Sequence, residues 1–459
     1  MVVCGGEPLD LFAISSSRTH CPGSRPPATR PKTTLILWEF TPRPVGAGQQ
    51  GPTNVAYLYR LAVRGPIGME DFIPAMGRHY AERRNYDLGA GNHKAVSSLS
   101  PYIRRRLIAE AEVVDAALRA HGPEGAEKFV QEILWRGYFK GWLERRPQVW
   151  ASYTQGLAGD LSALEDSPRL QRDVDRAVKG QTGLECFDAW AAELAETGYL
   201  HNHARMWFAS IWIFTFGLPW RMGADFFYRH LLDGDAAWNT LGWRWVAGLH
   251  TRGKPYHAQP WNIAKFTGQR FTPRDSEIAQ VVEGLEAQEP DGLPPVQPLR
   301  ALVPPQRGQP TALLITDEDC LIEDFDRSDF DIVTAATLAA SHLRSPLSVS
   351  AGVTRFEEEA LADAAARAGV SPVRLRADDP DMLARWAAKA GVTQVVTPYI
   401  TRGPLHDWMA RAVPLLAARG IALCEWRRDW DNAIWPHATA GFFKVKQQLP
   451  RILDQLVPA

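Results

Sequence analysis

Between about residues 69 and 285, apolar positions recur at helical spacing. PYIRRRLIAEAEVVDAALRAHG starts on Pro101 after Ser100 and closes at Gly122, which predicts one helix. EGAEKFVQEILWRGYFKGWLERRP runs from acidic to basic, as the helix dipole favours, and stops before Pro147. GLECFDAWAAELAETG and HNHARMWFASIWIFTFG read as two more helices separated by Gly198, and ADFFYRHLLDGD as another closed by Gly234. After residue 310 the texture changes. TALLIT, PLSVSAG, PVRLRA, TQVVTPYI and IALCEW are short apolar runs that read as strands. EEEALADAAARAG, DMLARWAAKAG and DWMARAVPLLAARG are helical stretches between the later runs. This alternation predicts βαβ units and a five-stranded parallel sheet.

The predicted organisation follows from these textures. Residues 1–68, rich in Pro, Gly, Arg and Ser, read as a disordered or loosely attached extension. Residues 69–285 form a mostly α domain. Residues 286–310, with seven prolines among 25, form a stiff linker. Residues 311–459 form an α/β, Rossmann-like domain. The chain has 459 residues, enough for two or three domains. Fifty-one Lys and Arg against 52 Asp and Glu exclude a globally basic nucleic-acid coat, though not a local basic groove. Five scattered cysteines without CxxC spacing argue against a disulfide framework, a zinc ribbon or an iron–sulfur run. There is no GxGxxG and no P-loop. The longest apolar stretch, WFASIWIFTFGLPW at 207–220, is too short to span a bilayer and holds Gly217 and Pro219, so a buried core helix is expected. The N-terminus lacks a basic n-region and a long apolar h-region. The expectation is a cytoplasmic monomer without membrane contact.

Tryptophan stands out, with 17 copies, 11 of them between Trp135 and Trp261. The densest chemistry lies in 199–248. Arg205 sits on a very apolar helix beside His201, Asn202 and His203, and a buried arginine needs an anionic partner. Asp233 and Asp235 flank Gly234 and could supply it; Asn239 follows four residues later. Each signal also has an ordinary structural reading: a Trp-rich core, a structural Arg–Asp pair, an acidic turn. His201 and His203 are two apart, so they point to different sides of a helix, and no metal site is expected.

Taken together these strings resemble the photolyase/cryptochrome flavoprotein family, over about 78–275. TGYLHNHARM is similar to the family's TGWMHNRxRM, and HLLDGDAAWNTLGWRWVAG to its HLxDGDxAxNxxGWxWxAG. RHYAERRNYD followed by VSSLSPYIR, and EKFVQEILWRGYF, match its entry segment and its ELxWRE helix. The resemblance implies FAD as cofactor. It implies that Tyr80, Val96, Ser97, Ser98, Leu99 and Ser100 hold the diphosphate, and that Phe129 and Arg136 line the flavin pocket. Arg205 and Asp233 would be the salt bridge beside the isoalloxazine. Asp235 would contact the ring edge or ribitol, and Asn239 would face flavin N5.

On the substrate side the resemblance implies that Glu132 contacts the damaged bases and that Trp135 and Trp245 hold the flipped dimer. Asn202 and Met206 occupy the positions typical of dimer-type enzymes. Lys140, Arg145, Arg146 and Lys265 are either phosphate contacts or solvated surface charges. Trp243 and Trp220 match the first two members of the family's electron-transfer triad, whereas the third position falls on Ala177. Gly137 stands where the family usually has a carboxylate, which would loosen a hydrogen bond.

The α/β segment follows the helical one here, whereas family members carry it first. The ending WRRDWDNAIWPHATAGFFKVKQQLP resembles the stretch that closes the antenna domain, so the arrangement reads as permuted. An unrelated Rossmann-like domain is the alternative. The antenna-chromophore residues cannot be assigned, and the identity of a second chromophore is open. The implied function is light-driven splitting of cyclobutane pyrimidine dimers in DNA by electron transfer from reduced FAD, a carbon–carbon lyase. A cryptochrome-like blue-light photoreceptor that binds FAD without repair is the alternative.

Overall fold

Three consecutive arginines decide how the helical part meets the sheet. Side chains of successive helical residues point about 100° apart, so Arg104, Arg105 and Arg106 cannot face one partner from a continuous helix. In the computed structural model, which describes residues 69–456, the helix predicted over 101–122 is broken there. A short helix spans Ser100–Arg104, Arg106 takes a left-handed conformation (φ 51°), and helix resumes at Glu110. All three arginines then reach one acidic loop, Asp317–Asp319. The expectations for residues 1–68 lie outside the described residues.

In chain order the main helices of the first part are α1 (Arg78–Arg83), α2 (Ser100–Arg104), α3 (Glu110–Glu144), α4 (Pro147–Asp166), α5 (Pro168–Val178), α6 (Glu185–Thr197), α7 (Asn202–Ser210), α8 (Trp220–His230), α9 (Ala236–Val246) and α10 (Pro260–Phe266). Gly122 (φ 68°) and Pro123 kink α3 where the sequence placed a helix boundary. The apolar 207–220 run leaves α7 through a π-helical turn, Ile211–Thr215. Its core is aromatic, with Trp190, Trp207, Trp212 and Trp220 fully buried.

The second part is a five-stranded sheet, all parallel, in the order β3-β2-β1-β4-β5. Its elements are β1 (Pro310–Thr316), β2 (Asp331–Ala339), α11 (Ala351–Arg367), β3 (Val373–Arg376), α12 (Pro380–Lys389), β4 (Gln394–Pro398), α13 (Pro404–Ala417) and β5 (Ala422–Trp426). β1 and β4 are buried on both faces, hence their continuous apolar runs. PLSVSAG is not a strand. Ser350 in that run caps α11, its hydroxyl accepting from the Gly352 N–H at 3.2 Å. The second strand is DIVTAATLA instead. It starts half-exposed and is built of small residues, so it does not read as an apolar run.

Strand order reverses between β1 and β4, where an open α/β sheet usually leaves a ligand crevice. The arginines fill that crevice. Arg104 donates to the Asp317 carbonyl (2.5 Å) and Glu318 (2.7 Å). Arg105 lies 3.4 Å from Asp317, and Arg106 contacts Asp319 (3.1 Å), Glu110 (3.1 Å) and Asp431 (2.7 Å). Residues 286–310 run alongside both parts: Gln297 and Arg145 exchange hydrogen bonds, and Arg300 pairs with Glu425.

The chain ends on helices α14 (Asp429–Ile434), α15 (Phe443–Gln447) and α16 (Leu449–Leu456). α14 and the turn after it lie against α3 at Gly137 and Gly141, which share a face one turn apart. A Cβ at Gly137 would sit 2.9 Å from Ile434, and one at Gly141 2.6 Å from Trp435. Gly137 therefore provides close approach for this segment, rather than marking a loosened hydrogen bond.

Candidate functional site

One cleft in the helical part gathers side chains from six places in the chain. α1 supplies Tyr80, with Arg84 at its end. The following loop supplies Val96, Ser97 and Ser98, and Ser100 opens α2. α3 supplies Phe129, Glu132, Ile133 and Arg136, spaced i, i+3, i+4 and i+7, which is one helix face. Tyr199, Asn202, His203 and Arg205 enter around the start of α7, Asp233 from the turn after α8, and Trp238 from α9. The cleft holds roughly 860 Å³ of empty space, part of it open to solvent.

Its walls are firmly set. The Tyr80 and Phe129 rings meet edge-on at 5.0 Å. Arg205 donates twice to Asp233 (3.0 and 3.1 Å) and also to the Leu200 carbonyl (2.8 Å). Burial opposes the charged form of Asp233, but Arg205 and Arg136 outweigh it and hold the carboxyl below its ordinary range. Arg84 binds Glu132 at 2.5 Å. His203 stacks on Trp207 at 4.0 Å, and burial lowers its pKa to about 4, so it is neutral at pH 7. Arg136 lies 5.6 Å over the Trp238 ring, and its Nη1 is buried without a hydrogen-bond partner. A buried guanidinium with a free donor calls for an acceptor from outside the chain.

Several expected residues lie elsewhere. Leu99 is buried behind the cleft at the head of α2. Asp235 caps α9, accepting from the Trp238 N–H at 2.8 Å, and lies 3.6 Å from Lys140. It steers Trp238 and is not on the wall. Asn239 is buried and donates to the Ala224 carbonyl at 2.8 Å. Met206 is buried, and Trp245 packs on Tyr256 at 5.4 Å. Trp135 is buried under Phe442.

Trp243 sits edge-on to Trp212 (6.3 Å), and Trp220 packs on Tyr153 (5.9 Å). Ala177 is buried in α5. Of the four candidate phosphate contacts, Lys140 is buried on Asp235. Arg145 donates to the Trp435 carbonyl and Arg146 to the Thr439 carbonyl. Only Lys265 of the four is exposed. Arg84, Tyr199 and Trp238 line the cleft without having been assigned a role, and His203 had been named only to exclude a metal site; all four stood inside the quoted motifs.

Among the described residues, one His–carboxylate group could hold a metal ion, Asp87, His93 and Glu193. Asp87 there already pairs with Arg270 (2.8 Å) and Trp190 (2.9 Å), which makes it an ion-pair network. No described helix is long and apolar enough to cross a membrane.

Residues 129–291 match the family described as the FAD binding domain of DNA photolyase. FAD is thus the cofactor the domain takes, and a hydroxyl-lined cradle, edge-on aromatics and an unsatisfied Arg136 suit a large, flat, anionic molecule. The chain is 36% identical over 205 residues to a deoxyribodipyrimidine photo-lyase of Streptomyces griseus, covering 43% of this chain and 42% of that one. It is 28% identical over 275 residues to one of Neurospora crassa, covering 58% and 43%. Among solved structures, a class III photolyase of Agrobacterium tumefaciens aligns at 28% identity and TM-score 0.37, over 44% of this chain and 41% of that one. The chain spans less than half the length of these relatives.

Proposed function

We propose that this protein is a light-driven DNA repair enzyme that binds FAD in the cleft and splits cyclobutane pyrimidine dimers. The observation that carries this reading is the shared wall. Glu132 and Asn202, which the resemblance places against damaged bases, line the same cleft as the cofactor-facing Tyr80, Arg136, Arg205 and Asp233. When bound and reduced, FAD supplies an electron donor that light makes strong enough to open the dimer's ring. The chain's own residues bind, orient and desolvate. Arg205 and Arg136 present cationic donors to the flavin side, and Asp233 fixes Arg205. Arg84 holds Glu132 in one place on the cleft wall. His203, uncharged at pH 7, adds no competing cation.

The second reading is a photoreceptor without repair. The observations that favour it are Ala177 at the third triad position and the covered face of Trp135. For a second chromophore we assign the cavity between α4, the loop after β2 and α13, walled by Trp150, Tyr153 and Trp408 and edged by Arg344 and Arg411.

Illumination of the reduced, FAD-loaded protein with dimer-containing oligonucleotide tests the two readings. Loss of dimers supports repair. Full FAD loading with no loss of dimers leaves the photoreceptor.

A further inference from the structure

Trp135 occupies the place that the repair reading gives to a wall for the flipped base, yet its ring is already stacked. Phe442 lies over it with ring centroids 3.9 Å apart and planes 15° apart. That is close to the geometry of a base stacked on an indole. Trp135 lies on α3 one turn from Glu132 and next to Arg136, both on the cleft wall. We propose that Phe442 is a latch: it holds the stacking face of Trp135 until a nucleobase displaces it. The proposal rests on the repair reading for the identity of the incoming ring.

The segment that carries Phe442 has a root packed against α3 and a tip held by two side-chain hydrogen bonds, Arg146 to the Thr439 carbonyl at 2.7 Å and Tyr138 to the Ala440 carbonyl, and by buried apolar side chains. At the root, Ile434 and Trp435 fill the space left by Gly137 and Gly141, and Arg145 donates to the Trp435 carbonyl at 3.0 Å. The absence of a side chain at Gly141 lets the Trp435 backbone approach α3 closely.

Beyond Ala438 the character changes. Tyr138 donates to the Ala440 carbonyl at 2.8 Å. Lys446 pairs with Glu127 at 3.2 Å, but both side chains are well exposed, where such a pair contributes little. Phe443 is 61% exposed, and α15 is only five residues long. The buried apolar anchors of the tip are Phe442, stacked on Trp135 and edge-on to Tyr138 at 5.6 Å, and Val445.

A phenyl ring and a nucleobase stacked on one indole are worth comparable amounts, so the exchange is close to balanced. The latch would lower affinity for any extruded base and spare the aromatic wall from solvent when no DNA is bound. Gly441 sits directly before Phe442, where backbone freedom helps the tip to swing.

The test uses the full chain with FAD bound and a single-stranded oligonucleotide carrying one thymine dimer. Amide hydrogen exchange across residues 438–447 should accelerate when that oligonucleotide binds, while exchange across 430–435 stays unchanged. Phe442→Ala should bind it about tenfold more tightly than the wild type, whereas Phe443→Ala should bind as the wild type does. Binding with unaltered exchange across 438–447 overturns the latch even if Phe442→Ala folds poorly, because that measurement uses the wild-type chain. Equal affinity of wild type and a folded Phe442→Ala overturns it as well. Failure of every variant to bind dimer DNA, with FAD retained, overturns the repair reading and the latch together.

Discussion

Two places among the described residues show how a site of cofactor form can be left open or closed: the cleft of the helical part is open, and the crevice of the sheet is filled. The crevice at the carboxyl ends of β1 and β4 is where a doubly wound sheet usually receives a ligand. Here every arginine in it has a carboxylate: Arg104 with Glu318 (2.7 Å), Arg105 with Asp317 (3.4 Å), Arg106 with Asp431 (2.7 Å), Arg344 with Asp317 (3.8 Å) and Arg428 with Asp319 (2.5 Å). The cleft of the helical part brings together three arginines, Arg84, Arg136 and Arg205, and two carboxylates, Glu132 and Asp233. Arg84 pairs with Glu132 and Arg205 with Asp233, which leaves Arg136, whose Nη1 has no hydrogen-bond partner among the described residues. A charge-balanced crevice leaves an anion nothing to pair with; a cleft with a spare cation offers it a partner. The sheet thus serves as a dock for the helical part.

The largest effect separates these roles. Arg106→Met strands Glu110 and Asp431 in a buried place, where breaking a pair costs about 3–5 kcal/mol, and leaves Asp319 to Arg428 alone. Urea unfolding should show that loss. A loss below about 1 kcal/mol would mean that the crevice is not the dock.

Next in size is a pH effect at the cleft. His203 has a pKa of about 4 when folded, against 6.5 for the free side chain. Between those values the unfolded chain binds the proton and the folded one does not. Stability is therefore full above about pH 6.5 and falls as pH drops toward 4, by about 3 kcal/mol at 1.36 kcal/mol per unit. The difference between wild type and His203→Gln, followed by urea melts from pH 7 to 4.5, isolates it. The depressed carboxyls Asp317 and Asp319 in the crevice contribute stability that is lost only below their ordinary value of 3.8. A His203→Gln difference that does not change with pH would contradict the burial argument.

The smallest expected effect on the fold is the most telling for function. Arg136→Leu removes a buried cation with an unsatisfied donor, so urea stability without FAD should change by less than about 1 kcal/mol. FAD affinity, followed by flavin fluorescence, should fall at least tenfold. The opposite pattern, lost stability with unchanged affinity, would make Arg136 a structural residue.

Much of this contrast was legible in the chain. Tyr80, Ser97, Ser98, Phe129, Arg136, Arg205 and Asp233 converge on one cleft because their motifs encode both residue type and local backbone. Motifs do not encode what a distant segment does. Trp135 is covered by Phe442 from the end of the chain, and Asp235 is spent on capping α9. Arg104–Arg106 read as charged positions of one helix because their acids lie more than 200 residues away. β2 escaped notice because Ala and Thr fill a strand without an apolar run.

The central claim is that the open cleft holds FAD on one side and a dimer against Glu132 on the other. Its most direct test is dimer loss under blue light by the reduced, FAD-loaded protein, wild type against Glu132→Ala. The account predicts repair by the wild type and a rate at least tenfold lower in the variant, with FAD binding retained. Equal repair by both would remove Glu132 from the substrate wall. No repair by a fully loaded wild type would contradict the claim itself.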